Sequence, residues 1–288
     1  MSDSRLTSDR FPLASRYDPE WLRAAASGGA NSLWLTEWLA SVLELRPGMR
    51  VLDLGCGMAA QSIFLRREFG VQVWAVDLWF SAAQNARRVR DAGVEDGVFP
   101  MHADARALPF PPEFFDVIVS IDSFPYYGTD ETYLPYIARL VKIGGPIAHA
   151  GAGLMREIEP PAGHADTQRS QGTGSALVPP HLQAWWTHDL WALHSPEWWR
   201  WHWAKTGIVT VETADTMPDG WLRWLEWHRF VAPGNHVEIA ALESDRGQYL
   251  GYVRVVGRRV AKTLDEPTTT VPTEYAPLPL LRDSAGRR

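Results

Sequence analysis

The sequence predicts an α/β fold, in which a parallel sheet is covered by helices on both faces. Short apolar segments typical of buried strands alternate with segments of helical periodicity between residues 50 and 151. Residues 117–120 form a continuous segment of the apolar type that is expected of a central strand. The first strand is followed by two closely spaced glycines and a helical segment, an arrangement that forms a ligand-binding turn in such folds.

Strands and helices are predicted in chain order from these patterns. The strands are predicted at residues 50–53, 71–77, 98–102, 115–122, 146–151, 209–213 and 249–260. The helices are predicted at residues 17–26, 31–45, 60–69, 81–92, 130–141, 196–205 and 218–231. The helix that begins near residue 196 has the clearest start, because Ser195, Pro196 and Glu197 supply an N-cap, a first-turn proline and a first-turn acid.

The turn after the first strand narrows the choice of ligand. Gly55 and Gly57 allow a tight turn and the close approach of a ligand to the backbone. With Ala60 and the later Asp77 they also satisfy a loose dinucleotide fingerprint. Asp53, however, would repel a pyrophosphate through a partly desolvated site. S-adenosylmethionine (SAM) carries a sulfonium and an ammonium group, so the charge of Asp53 favours SAM over a nicotinamide dinucleotide.

Five motifs in order resemble those of class I SAM-dependent methyltransferases of the small-molecule type. The resemblance extends over about residues 31–260. Ala59 stands where the family has a third glycine, and Ile143 stands where it has a proline, but neither change removes a ligand-binding group. The segments that carry the resemblance are residues 51–59, 73–79, 102–110, 114–124 and 140–145.

The resemblance implies a Rossmann-like, seven-stranded, mostly parallel sheet with an antiparallel terminal strand. Residues 152–194 are rich in Gly, Pro, His and Gln. Because this segment is longer than an ordinary loop between two elements, we predict a Trp-rich lid insertion. The expected organisation is an N-terminal helical lid segment, a SAM-binding core, the insertion over the active site, the C-terminal helices and closing strands of the same domain, and a flexible tail. Their respective bounds are 1–48, 49–151, 152–194, 195–260 and 261–288.

The resemblance also assigns cofactor contacts to individual residues. The methionine side of the pocket is assigned to Asp53, Gly55, Gly57 and Ala59. The ribose and adenine side is assigned to Asp77, Leu78, Trp79, Asp104 and Ala105. For two of these residues an alternative stays open. In its alternative placement the ring of Trp79 is directed outward and does not flank the adenine. The carboxylate of Asp104 would in its alternative role cap the short segment that follows it.

Candidate catalytic residues follow from the chemistry of methyl transfer, which is an in-line displacement at carbon in a site that excludes water. Asp122, at the end of the fourth strand, is a candidate general base, a binding group for a cationic substrate, or a contact to the methionine end of SAM. Tyr126 positions the acceptor or serves packing. His149 is a second candidate base, with a buried structural histidine as the alternative.

Tryptophan is unusually frequent, with 15 residues in the chain, ten of them between Trp185 and Trp227. Core packing is the favoured explanation for the tryptophans after residue 195, because helices that are apolar on several faces are usually buried. Trp185, Trp186 and Trp191 are the better candidates for contact with substrate. The histidines of the insertion match no familiar metal motif, so no metal site is predicted.

Composition limits the remaining function classes. The formal net charge of −6 argues against a nucleic-acid partner. Because no apolar run is long enough for a membrane span and residues 1–10 are too polar for a signal peptide, a cytoplasmic protein is expected. The single Cys56 cannot form an internal disulfide. The expected partner is a small-molecule acceptor. The oligomeric state is undetermined, with a dimer among the options.

These observations predict an enzyme that methylates a small organic molecule at O, N or C and releases S-adenosylhomocysteine. A second hypothesis keeps the fold but replaces methyl transfer with cyclisation or elimination in the same pocket, alone or with a partner subunit. A third is a partner-binding subunit whose SAM site is vestigial. A nicotinamide oxidoreductase is disfavoured by the charge of Asp53.

Overall fold

A single sheet of seven strands organises the computed structural model, which describes residues 6–26, 29–158 and 177–261. The strands are β1 (Arg50–Leu54), β2 (Gln72–Asp77), β3 (Val98–His102), β4 (Val117–Ile121), β5 (Pro146–Leu154), β6 (Val209–Thr216) and β7 (Leu250–Arg259). Their order across the sheet is β3-β2-β1-β4-β5-β7-β6. The first five strands are parallel, and β7 pairs antiparallel with both β5 and β6. The predicted fold class is confirmed.

Helices cover both faces of this sheet. They are α1 (Pro19–Arg23), α2 (Ser32–Ala40), α3 (Ala60–Phe69), α4 (Ala82–Asp91), α5 (Pro125–Gly128), α6 (Tyr133–Ala138), α7 (Pro196–Ala204), α8 (Gly220–Val231) and α9 (His236–Asp245). Successive residues of β1 show the two-sided burial. Val51 packs into the core beneath α2 and α3, whereas Leu52 packs into the core beneath α6 and α7. Within the described ranges, every helix is too short or too polar to cross a bilayer.

Side-chain caps explain where several helices begin. The Asn31 side chain accepts hydrogen bonds from the amides of Leu33 and Trp34, both at 3.1 Å, at the start of α2. The Ser195 hydroxyl accepts from the amide of Trp198, as predicted for the start of α7. These caps satisfy amide groups that the first helical turn leaves without an intrahelical partner.

Several predicted boundaries differ from the structure; the helix predicted at residues 31–45, for example, ends at Ala40, and the helix predicted at residues 130–141 is limited to Tyr133–Ala138. β5 continues three residues beyond the predicted end, so residues 152–154 belong to the sheet and not to the insertion. β6 also continues to Thr216. The helix α9 was not predicted, because only Ala241 and Leu242 among its apolar residues are buried and its amphipathic pattern is weak. Residues 159–176, part of the predicted insertion, and residues 262–288, nearly all of the predicted tail, lie outside the described residues.

The tryptophans of α7 and α8 mostly serve the core. Trp199 and Trp203 are fully buried against Phe124 on one side of the sheet. On the other side, Trp224 stacks on Tyr252 of β7 with ring centroids 5.7 Å apart. This packing explains the high local tryptophan content without a ligand-binding role for most of these rings.

One buried ion pair connects the antiparallel end of the sheet to α2. Both guanidinium edges of Arg254 are used. Nε and Nη2 donate to the two Asp215 carboxylate oxygens at 2.9 and 2.7 Å. Nη1 donates to the Trp38 carbonyl at 2.6 Å and to the Ser41 hydroxyl at 3.1 Å. The Arg254 side chain is only 8% exposed, so its hydrogen bonds are largely shielded from water.

Arg254→Met should lower the free energy of unfolding by about 1–3 kcal/mol, because it removes the hydrogen bonds of a buried guanidinium to Asp215 and to the Trp38 carbonyl. Arg258→Met is the matched control on the same strand. Arg258 makes an equivalent bidentate pair with Glu212, but its side chain is 42% exposed, and its loss should change stability by about 1 kcal/mol or less. Urea denaturation of both variants measures the difference. Equal losses would contradict the importance assigned to burial.

Candidate cofactor and acceptor site

A cavity of about 250 Å³ opens at the carboxyl ends of the parallel strands. Its walls come from the ends of β1, β2 and β4, from the loop after β3, from the N-terminal segment 22–32 and from α8. This is the edge at which open α/β sheets bind ligands. The polar and aromatic lining side chains are Ser32, Gln61, Asp77, Trp79, Phe80, Asp104, Arg106, Asp122, Ser123, Tyr126, Tyr127 and Trp227.

The turn between β1 and α3 brings bare backbone to the cavity. Gly55 and Gly57 line the cavity and have φ values of 74° and 54°. The amides of Gly55 and Cys56 both donate to the Val76 carbonyl at 2.9 Å, which ties the turn to β2. A Cβ atom on Gly55 would lie 2.0 Å from the Ser123 hydroxyl oxygen. The position therefore requires glycine for both its conformation and its space.

Ala59 and Cys56 belong to the same turn but lie outside the lining. Ala59 was predicted to contact the cofactor. Instead it is the N-cap of α3, fully buried, with a left-handed φ of 63°. The position adopts the conformation that glycine prefers, which accounts for the glycine that the family has there. Cys56 is also fully buried, and burial raises the pKa of its thiol.

Asp53 lies behind the turn and does not line the cavity. One carboxylate oxygen accepts a hydrogen bond from the Ser62 hydroxyl of α3, and the other has no hydrogen-bond partner among the described residues. Burial raises the pKa of Asp53 to about 7, and the negative charge of Asp77 adds to this effect. A cation in the cavity would favour the ionised form of Asp53, as the charge argument from the sequence requires.

Asp77 is fixed at the end of β2 by three backbone amides. Oδ2 accepts from the amide of Gly57 at 2.7 Å, and Oδ1 accepts from the amides of Trp79 and Phe80 at 2.7 and 3.0 Å. The carboxylate lines the cavity. Because an ionised carboxylate accepts about four hydrogen bonds, one acceptor position remains for a ligand hydroxyl.

The predicted adenine side surrounds the mouth of the cavity. Leu78 and Trp79 line it but are largely exposed, the Trp79 side chain by 76%, which agrees with the outward alternative for this ring. The Asp104 carboxylate also lines the cavity while it accepts from the Arg106 amide, Nε and Nη2 at 2.9, 3.0 and 2.6 Å. These hydrogen bonds hold the pKa of Asp104 near 2. Ala105 lines the cavity, and its carbonyl accepts from the Tyr133 hydroxyl.

Asp122 is a half-buried carboxylate in the wall of the cavity. Its φ is 53°, its amide donates to the Ala150 carbonyl at 2.8 Å, and its Oδ1 accepts from the Ala152 amide at 3.1 Å. The strained backbone conformation aims the side chain at the cavity and not along the strand. Burial raises the pKa of Asp122 to about 6, and the charge of Glu238 contributes. This value suits a group that takes up a proton near neutrality.

The two tyrosines after β4 have different environments. Tyr126 is 58% exposed at the mouth, with its ring centroid 6.5 Å from that of Trp79. The Tyr127 hydroxyl is buried and lies 3.0 Å from the hydroxyl oxygens of both Ser120 and Ser123. Tyr126 is therefore free to contact an acceptor, whereas Tyr127 is held by the protein.

The structure does not support His149 as a base. It lies on the face of the sheet beneath α7, stacked on Phe124 with ring centroids 5.0 Å apart and in edge contact with Trp199. It does not line the cavity, and burial lowers its pKa to about 3. A neutral imidazole enclosed by aromatic rings cannot take a proton from a substrate, so the buried structural alternative is the one observed.

The tryptophans predicted to contact substrate are also placed elsewhere. Trp185 packs against Trp224, and Trp186 packs against Trp191. No described residue of 152–194 lines the cavity. Trp227 does line it, although its fully buried ring lies at a helical position that the sequence assigned to the core.

Sequence reasoning also missed other lining residues, among them Leu22, Ala25, Ala30 and Gln61. The first three lie in the segment predicted to be an N-terminal lid, but individual small apolar residues carried no signal. Gln61 was predictable from its place in the first turn of α3. Among the described residues no cluster of three histidine, cysteine or carboxylate side chains is placed to hold a metal ion.

Residues 51–145 match the family model described as a methyltransferase domain. The match covers about a third of the chain, from β1 to the end of the loop before β5, and includes the glycine turn. This part of the chain is similar to methyltransferase domains.

The proteins to which this chain is similar have names that refer to diverse compounds. The chain is 32% identical over 146 residues to 27-O-demethylrifamycin SV methyltransferase of Amycolatopsis mediterranei, and the alignment covers 50% of this chain and 53% of the relative. Geranyl diphosphate C-methyltransferase from Streptomyces coelicolor superposes with a TM-score of 0.58 at 22% identity, over 78% of this chain and 79% of the other. The [4+2]-cyclase SpnF superposes with a TM-score of 0.56 at 18% identity, over 79% and 80%.

These structural matches show a shared fold. The chain spans about half the length of the sequence relatives with which it aligns. The similarity is therefore that of the aligned region, and the activity of the whole chain is argued separately below.

Gly55→Ala should disrupt the cavity more than a glycine replacement elsewhere with the same backbone conformation. The added Cβ would collide with Ser123, so we expect a loss of about 2–4 kcal/mol in stability and a loss of SAM binding. Gly144→Ala is the control, because its φ of 79° is similar and nothing lies within 4 Å of the added atom. Thermal unfolding with and without SAM compares them. Equal behaviour would show that space at Gly55 is unimportant.

Proposed function

We propose that this chain is a SAM-dependent methyltransferase that methylates a small organic molecule at O, N or C and releases S-adenosylhomocysteine. The observation that carries the proposal is the pair of carboxylates at the glycine turn. Asp53 is buried with one unpartnered oxygen, and Asp77 is fixed against the turn by the Gly57 amide. This environment suits a cationic ligand with a ribose group and opposes a pyrophosphate.

The residues present fit SAM without rearrangement of the turn. Asp77 would accept one ribose hydroxyl at its remaining acceptor position, and the open backbone of Gly55 and Gly57 would border the methionine side. Asp53 would act through its charge from behind the turn. The largely apolar loop residues Leu78 and Ala105 would border the adenine.

When bound, SAM supplies an electrophilic methyl group on a positively charged sulfur. The chemistry that SAM would supply is transfer of this methyl group to an electron pair of the acceptor, with S-adenosylhomocysteine as the leaving group. The proton of the acceptor group moves to the Asp122 carboxylate, which lines the cavity and is held by the Ala152 amide. Tyr126 orients the acceptor, and Leu22 and Ala25 help to exclude water from above.

Asp53→Asn should raise the stability of the ligand-free protein but weaken SAM binding. The pKa of Asp53 in the folded protein, about 7, lies above the ordinary 3.8, so wild-type stability falls as pH rises from about 4 to about 7 and stays reduced above that range. The variant lacks this loss. At pH 8 the ligand-free variant should be more stable, by up to about 4 kcal/mol, yet should bind SAM at least tenfold more weakly.

Isothermal calorimetry with SAM and urea denaturation at pH 5 and pH 8 measure both effects. Asp91→Asn, at an exposed position at the end of α4, is the matched control and should change neither. Failure of the wild-type protein to bind either SAM or S-adenosylhomocysteine would refute the proposed function. Unchanged SAM affinity in the Asp53→Asn variant would refute only the role given to Asp53.

Asp122→Asn should reduce methyl transfer at least 100-fold, because the amide cannot take up the acceptor proton. The wild-type kcat/KM should rise with pH through about 6 as Asp122 ionises, and the variant should lose this dependence. Transfer of labelled methyl from SAM to metabolite extracts provides the assay, with Asp91→Asn as the control. A variant with the wild-type rate and pH profile would exclude Asp122 as the base. A product formed with an unchanged number of methyl groups would instead support cyclisation or elimination.

A further inference from the structure

We propose that the acceptor is a largely apolar molecule that carries no phosphate, sulfate or carboxylate group. This inference rests on the proposed function and specifies which small molecules the site accepts. It follows from the charges of the cavity walls and from the residues that enclose the end near Asp122.

The described walls carry an excess of negative charge. Three carboxylates line the cavity, namely Asp77, Asp104 and Asp122, whereas Arg106 is the single cationic side chain among the described lining residues. The guanidinium of Arg106 is already held by Asp104 through Nε and Nη2. An anionic acceptor would therefore meet carboxylates without an unpaired cation to balance it.

Apolar side chains form a large part of the cavity wall, beside the polar side chains of Ser32, Ser123 and Tyr126. The N-terminal segment contributes Leu22, Ala25 and Ala30 to the wall, and α8 contributes the ring of Trp227. These surfaces can bury hydrocarbon or an aromatic ring but cannot replace the hydration of an anion.

Glu238, a carboxylate behind the cavity wall, adds to the repulsion of an anionic acceptor. Glu238 of α9 is mostly buried and accepts a hydrogen bond from the Trp224 indole at 3.0 Å. Its charge acts on Asp122 in the same direction as burial. His228 lies 3.3 Å from Glu238, but the pair faces α8 and α9, and neither residue lines the cavity. Two negative groups therefore act on the acceptor end.

This arrangement contrasts with one structural relative. The Streptomyces coelicolor methyltransferase was crystallised with Mg²⁺ and geranyl diphosphate, which bears a strongly anionic group. The shared fold does not extend to a set of unpaired cations in the described walls of this cavity. The inferred acceptors are therefore hydroxyl, amine or activated carbon compounds built on an apolar frame.

A matched pair of probes tests the inference, with the protein first loaded with S-adenosylhomocysteine. 2-Naphthol and 2-naphthyl phosphate share one ring system and differ in charge. Calorimetry at pH 8 should give at least tenfold tighter binding for 2-naphthol. Asp122→Asn should narrow this difference by at least threefold, because it removes one of the repelling charges, whereas Asp91→Asn should preserve it.

Equal affinities, a preference for the phosphate, or no binding of 2-naphthol to the loaded protein would each overturn the inference. Failure of S-adenosylhomocysteine to bind in the loading step would instead refute the proposed function, so the two failures are distinguishable. The labelled product from metabolite extracts gives an independent result. It should pass through an anion exchanger at pH 8, and retention that phosphatase treatment abolishes would overturn the inference.

Discussion

The hydrogen bond from the Gly57 amide to the Asp77 carboxylate is the contact on which the site depends. It joins the turn after β1 to the end of β2 and fixes the only carboxylate at that strand end. In the same turn Gly55 has no side chain, which leaves room for Ser123 at the end of β4. The shape of the cavity and the orientation of Asp77 therefore have one common origin.

Two other carboxylates of the site lower the stability of the ligand-free protein. Asp53 is buried and Asp122 is half-buried, neither pairs with a cation among the described residues, and desolvation raises the pKa values of both above the ordinary range. An apolar residue at either position would make the ligand-free protein more stable. Their presence is explained if a positively charged ligand and a transferable proton compensate for them during the reaction.

The sequence was sufficient for the sheet and for the cofactor end of the site because both depend on local patterns. Strand periodicity predicted all seven strands, and the spacing of Gly55, Gly57 and Asp77 predicted one cluster at the edge of the sheet. The acceptor end was not predictable in this way. Trp227 and Ala30 line the cavity although they come from distant parts of the chain. The His149 side chain lies on the face of β5 that packs against Phe124, and it does not line the cavity. Such outcomes depend on tertiary packing and not on spacing along the chain.

The position of β7 has a consequence for synthesis on the ribosome. This strand is the last of the seven to emerge, yet it lies between β5 and β6 and supplies the partner of both. Until residues 250–259 leave the exit tunnel, β6 has no neighbour and the α2 carbonyl that Arg254 binds has no donor from that strand. The five parallel strands can assemble during translation, but closure of the sheet must wait until translation of β7 is complete.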